Sequence, residues 1–103
     1  MLANIGYRDV SISTNGKEAV NSYKTSTEKP EIIIMDYRMP VMNGIDAMIK
    51  ILHINIRIKI IFASADLAVK ERAISLGAIA FLHKPFDMFE LMKLIKNIII
   101  IEN

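Results

Sequence analysis

The chain has 103 residues, 52% of them hydrophobic, with no cysteine and 13 basic against 11 acidic side chains for a net charge of +2. That length suits one compact domain, expected over residues 1–103. The lack of cysteine excludes disulfides and thiolate chemistry, and His53 and His83 have no companion at metal-ligand spacing.

No apolar run approaches the roughly 20 residues that span a bilayer, and no export signal opens the chain, so the expected setting is cytoplasmic, without a membrane partner. The basic residues are scattered rather than gathered on one face. Binding to nucleic acid by this chain alone is therefore not expected.

Met1 to Ile5 read as the last turn of a helix ending at Gly6. Val10 to Ser13 is short and β-branched, a first strand. Asn15 can cap a following helix whose third position is Glu18, the pattern of a capping box. Ile32 to Met35 is a continuous apolar run, as in a strand buried on both faces of a parallel sheet, and it ends on Asp36. After Asn43-Gly44, Ile45, Met48, Ile49 and Leu52 recur at helical spacing. Ile58 to Phe62 is a second buried run. The helix beginning near Leu67 closes at Gly77, as a left-handed C-terminal residue would close it. Ala78 to Leu82 gives a fourth strand, and Asp87 caps a last helix with Glu90 at its third position and Met88, Leu91, Met92, Ile95 and Ile99 along one face. The seven methionines are read as core filler. Strand then helix, repeated four times, argues for an α/β doubly wound parallel sheet with helices on both faces.

In such sheets ligands bind beyond the carboxyl ends of the strands. Those ends carry Asp36, then Ala63, Ser64 and Ala65, then His83, Lys84 and Pro85. Each has an ordinary structural reading: Asp36 as a loop acid, Ser64 as a helix-entry turn, Lys84 as an exposed base. An acid, a hydroxyl and an amine on three successive strand ends together support phosphoryl transfer onto a carboxylate. The carboxylate attacks phosphorus, and the hydroxyl and ammonium contact the phosphoryl oxygens. Mg²⁺ is the natural counter-ion.

The stretches "KPEIIIMDYRMPVMNG" at 29–44, "IIFASA" at 60–65 and "LGAIAFLHKPFD" at 76–87 resemble the receiver domain of two-component response regulators, and the likeness runs from Met1 to about Ile100. The resemblance implies the flavodoxin-like receiver fold. It implies Asp36 as phosphoacceptor, Ser64 as the switch hydroxyl, Lys84 as the phosphoryl-pairing lysine and Phe81 as the aromatic switch. It further implies a cis Lys84–Pro85 bond, the Arg38 backbone carbonyl as a metal ligand beside Asp36, and Gly44 as the turn into a helix. A sensor histidine kinase or phosphotransfer protein would donate the phosphoryl group. The surface of the last two helices and last strand would signal to a separate output protein, so the chain is expected to be a signalling domain rather than an enzyme.

One departure stands against that likeness. Receivers carry an acidic pair at the end of a first strand that lies centrally, between those beginning here at Val10 and Ile32. The strand and most of its helix belong before Met1, leaving four strands in an N-terminally truncated receiver. Asp9 lies on the opposite rim and cannot replace the pair. A start codon placed too late or a shortened chain, a truncated protein, or a chain that borrows the strand by oligomerising would each account for this, and the helix-like end at Met1 to Gly6 favours the first. Mg²⁺ is then expected to bind weakly or not at all. The gap is expected to close by the Val10 strand shifting in beside the Ile32 strand, or by association into a homo-oligomer.

Arg38 and Asp66 each lie two residues past a site residue. They are read either as an ion pair screening Asp36 from water or, for Asp66, as the cap of the helix at Leu67. Tyr37 and Met42 are read either as lining the loop around Asp36 or as loop packing, and His83 as a spacer, because in receivers the donor histidine lies on the kinase. The alternative function is a phosphorylation-independent interaction module on the same fold. A nucleotide-binding flavodoxin-like domain is disfavoured because neither G-x-G-x-x-G nor a P-loop is present.

Overall fold

A computed structural model describes residues 2–4, 10–13, 16–25, 31–36 and 41–102, with side chains described at 17, 19–25, 31–35 and 44–98. In chain order the elements are β1 (Leu2–Asn4), β2 (Val10–Ser13), α1 (Gly16–Thr25), β3 (Ile32–Asp36), α2 (Val41–Ile54) and β4 (Lys59–Ser64). A 3₁₀ turn (Leu67–Val69), α3 (Lys70–Ser75), β5 (Ala80–His83) and α4 (Met88–Glu102) follow. The sheet order is β1-β2-β3-β4-β5, with β2 to β5 parallel and β1 antiparallel to β2. This is the α/β architecture expected from the sequence, a mainly parallel sheet with helices packed on both faces.

The apolar runs of β3 and β4 are continuous because both faces of the sheet are covered. Successive strand residues point to opposite sides. Ile33, Met35, Ile60 and Phe62 pack with Tyr23 of α1, Met48 and Ile51 of α2 and Ala73 of α3. Ile32, Ile34, Ile61 and Ala63 pack with Leu82 and with Leu91, Ile95 and Ile98 of α4. Fully burying each of these isoleucines is worth about 1.5–3 kcal/mol, and they tie three strands into a rigid support for the loops at their ends.

The described fold corrects the expected N-terminus. Leu2–Asn4 is a strand, not a helix end, and it pairs Leu2 with Ser13, Ala3 with Ile12 and Asn4 with Ser11. A lone helical turn satisfies few backbone groups, whereas a strand laid along β2 bonds to an otherwise open edge. Among the described residues the sheet thus has five strands where four were expected. On its other side β2 pairs directly with β3, Val10 opposite Ile32 through Ser13 opposite Met35. Of the two ways expected to close the gap, the shift within the chain is the one found. The backbone groups that association would have covered are bonded internally.

The helix expected after Gly44 begins earlier, at Val41, so Gly44 is a buried residue inside α2 rather than the turn that leads into it. Pro40 precedes it in sequence, and a proline suits a helix entrance because first-turn N–H groups have no partner within the helix. Asp87 caps α4 as expected, its Oδ1 accepting from Glu90 N–H at 2.8 Å. The cap expected at Asn15 lies outside the described residues, as do Asp9, Tyr37, Arg38 and the side chains of Glu18 and Met42.

Candidate functional site

Register brings the strand ends together. Asp36, the last residue of β3, lies opposite Ala63 of β4, and Ser64 of β4 lies opposite His83 of β5. The N–H of Lys84 donates to the Ser64 carbonyl at 2.9 Å, extending the β4–β5 ladder by one bond. Asp36, Ser64 and Lys84 therefore occupy neighbouring positions on one rim of the sheet at backbone level. The side chain of Asp36 and all of Arg38 lie outside the described residues.

Ser64 is 6% exposed, a buried polar residue at the end of β4. Its Oγ accepts from Asp66 N–H at 3.0 Å, which leaves the hydroxyl proton available to a further acceptor. Asp66 Oδ1 in turn accepts from Ala68 N–H at 2.9 Å and caps the 3₁₀ turn. The cap read at Asp66 is present, and its alternative, the ion pair with Arg38, lies outside the described residues. Lys84 is half-buried, and the Lys84–Pro85 bond is cis. Phe81 is half-buried and packs against the core shared by α1, α2 and α3.

Sequence reasoning missed one contact. His83, read as a spacer, places Nε2 3.2 Å from the Ala65 carbonyl. No spacing or periodicity signals it, because it depends on how closely the β4 and β5 ends approach in space.

Among the described residues no group of three or more His, Cys, Asp or Glu converges to hold a metal ion. Asp66, a described carboxylate two residues after Ser64, has its Oδ1 engaged by Ala68 N–H. The described residues therefore do not supply the oxygen-rich set that Mg²⁺ takes. No described helix is long and apolar enough to cross a membrane.

The family model of the response regulator receiver domain matches residues 1–96. The chain belongs to that family. The chemotaxis protein CheY of Thermotoga maritima is 44% identical over 89 residues, which are 84% of this chain and 72% of that protein. The transcriptional regulatory protein PdtaR of Mycobacterium tuberculosis is 37% identical over 97 residues, 93% of this chain and 46% of that protein. Among solved structures, the receiver domain of the Francisella response regulator 1452 superposes with a TM-score of 0.65 at 28% identity, over 80% of this chain and 68% of that one. Receiver domains are signalling domains of two-component systems, and the rim of β3, β4 and β5 is where this receiver carries its acid, hydroxyl and amine.

Proposed function

We propose that this receiver accepts a phosphoryl group on Asp36 from a phosphohistidine of a sensor histidine kinase or phosphotransfer protein. A carboxylate oxygen attacks phosphorus, the N–P bond breaks, and the imidazole nitrogen leaves with the electron pair and is protonated. The product is an acyl phosphate, later returned to carboxylate by water. The Ser64 hydroxyl donates to one phosphoryl oxygen and the Lys84 ammonium pairs with another, so both stabilise the added charge. The observation that carries this reading is the register that sets Asp36, Ser64 and Lys84 side by side at adjacent strand ends.

Mg²⁺, where it binds, supplies further charge neutralisation, with Asp36 and the Arg38 carbonyl as its proposed protein ligands. Two such ligands hold it weakly. The new charge of about −1.5 to −2 draws Ser64 toward the phosphoryl group, Phe81 turns inward, and the surface of α3, β5 and α4 reads out the change to a separate output protein. Residues 1–103 act as one signalling domain in the cytoplasm.

A second reading is an interaction module that works without phosphorylation. It is favoured by Met88 and Phe89, 58% and 77% exposed at the start of α4, together with the lack of an acidic cluster among the described residues. Incubation with Mg²⁺ and acetyl phosphate, followed by intact-mass measurement, separates the two. A gain of one phosphoryl mass that Asp36→Asn abolishes supports the first reading, and no gain at any donor concentration supports the second.

A further inference from the structure

One peptide unit beside Ser64 is held at both ends. The N–H of the Ala65–Asp66 peptide donates to Ser64 Oγ at 3.0 Å. The carbonyl of the same unit lies 3.2 Å from His83 Nε2. A trans peptide is planar with its N–H and C=O pointing to opposite sides, so whatever fixes the carbonyl also fixes the direction of the N–H. A carbonyl oxygen only accepts, so the contact requires the hydrogen on Nε2.

The sheet sets the ring in place. His83 is the last residue of β5 and lies opposite Ser64, and the next N–H along the chain bonds the Ser64 carbonyl at 2.9 Å. The imidazole is thus carried on the strand that borders the Ser64 turn, and it reaches across to the first residue beyond Ser64.

We propose that His83 is a positioning residue for the Ser64 hydroxyl. By donating from Nε2 to the Ala65 carbonyl it holds the peptide whose N–H occupies Ser64 Oγ, which orients the hydroxyl and leaves its proton free to donate. In phosphoryl transfer, and resting there on the function proposed above, His83 sets the rate without touching the phosphoryl group. Without the ring the peptide loses one of its two hydrogen bonds, and the N–H bond that selects the Oγ rotamer is held less firmly.

The test uses the full chain, ¹⁵N-labelled, as the unsubstituted protein, His83→Gln, His83→Leu, Ser64→Ala and the double variant His83→Leu with Ser64→Ala. Glutamine retains a donor for the carbonyl, and leucine fills the space without one. The ring nitrogens of His83 are expected to report the Nε2–H form when neutral. His83→Leu is expected to shift the Asp66 amide proton and speed its solvent exchange about two- to tenfold, the range that follows from losing one net hydrogen bond, with His83→Gln closer to the unsubstituted protein. An Nδ1–H ring, or an Asp66 amide that does not respond to His83→Leu, overturns the proposal.

The second readout is the rate of mass gain from acetyl phosphate with Mg²⁺. His83→Leu is expected to slow it when Ser64 is present and to have no further effect when Ser64 is alanine. An equal slowing in both backgrounds rules out action through Ser64. If even the unsubstituted chain gains no mass, the reading of Asp36 fails, while the amide and ring signals still decide whether His83 holds the Ser64 turn.

Discussion

Val10 lies directly opposite Ile32, in parallel register, with no strand between them. This single pairing converts β2 from an edge into an interior strand, because β1 bonds its other side. Two rows of ladder groups that would otherwise face solvent are paired, and the β3 backbone that ends in Asp36 is held on both flanks by β2 and β4.

If β2 is interior, its amides bond to one neighbour or the other, and a proline within it must delete a ladder bond. Hydrogen exchange at Ser11 and Ser13 is expected to be slowed to the same order as at Ile34 and Ile61. Ile12→Pro is expected to abolish the cooperative unfolding transition followed by circular dichroism in urea. Unprotected β2 amides, or a proline variant with an unchanged midpoint, would show that β2 is not built into the sheet.

Gly77 has φ +128°, a backbone region that side-chain-bearing residues rarely adopt, and a Cβ placed there would lie 2.5 Å from Leu52 Cδ1. The end of a leucine side chain can move aside, so backbone strain outweighs the close contact. Gly77→Ala is expected to cost about 1–3 kcal/mol in urea unfolding. The same cost in a Leu52→Ala background identifies strain as the cause, whereas recovery there would identify the contact.

Asp66 Oδ1 caps the 3₁₀ turn through Ala68 N–H. Asp66→Ala is expected to lower stability by about 0.5–2 kcal/mol and Asp66→Asn by less, since asparagine also caps well. An ion pair would respond in the opposite pattern, with asparagine as harmful as alanine. Chemical denaturation of the three proteins distinguishes a cap from a charge partner.

The parts of this receiver that follow from local chemistry were legible in the sequence. The continuous isoleucines of β3 and β4, the Asp87 cap and the strand ends bearing Asp36, Ser64 and Lys84 all depend on residue type and spacing over a few positions. The placement of β2 was legible only as one of two options, because pairing of strands 22 residues apart (Val10 with Ile32) is decided by what else is available to fill the sheet. Leu2–Asn4 was read as helix because three residues carry no period, and its strand pairing is a tertiary effect. The contact of His83 with Ala65 was invisible for a related reason. It joins residues 18 apart through two strand ends that only the folded sheet brings near.

Lys84 contributes two separable things to the rim. Its backbone N–H bonds the Ser64 carbonyl whatever the side chain, and its ammonium is the proposed partner of the phosphoryl group. Lys84→Met keeps the first and most of the aliphatic packing while removing the charge. Stability in urea is expected to fall by about 0.5–3 kcal/mol, the usual range for a single substitution. The rate of mass gain from acetyl phosphate is expected to fall about 10²- to 10³-fold, the usual cost of deleting one preorganised charge-stabilising donor. Measuring both on the same preparation separates the roles. A rate that is unchanged removes Lys84 from the chemistry, and a rate that falls only in step with the folded fraction assigns it to structure.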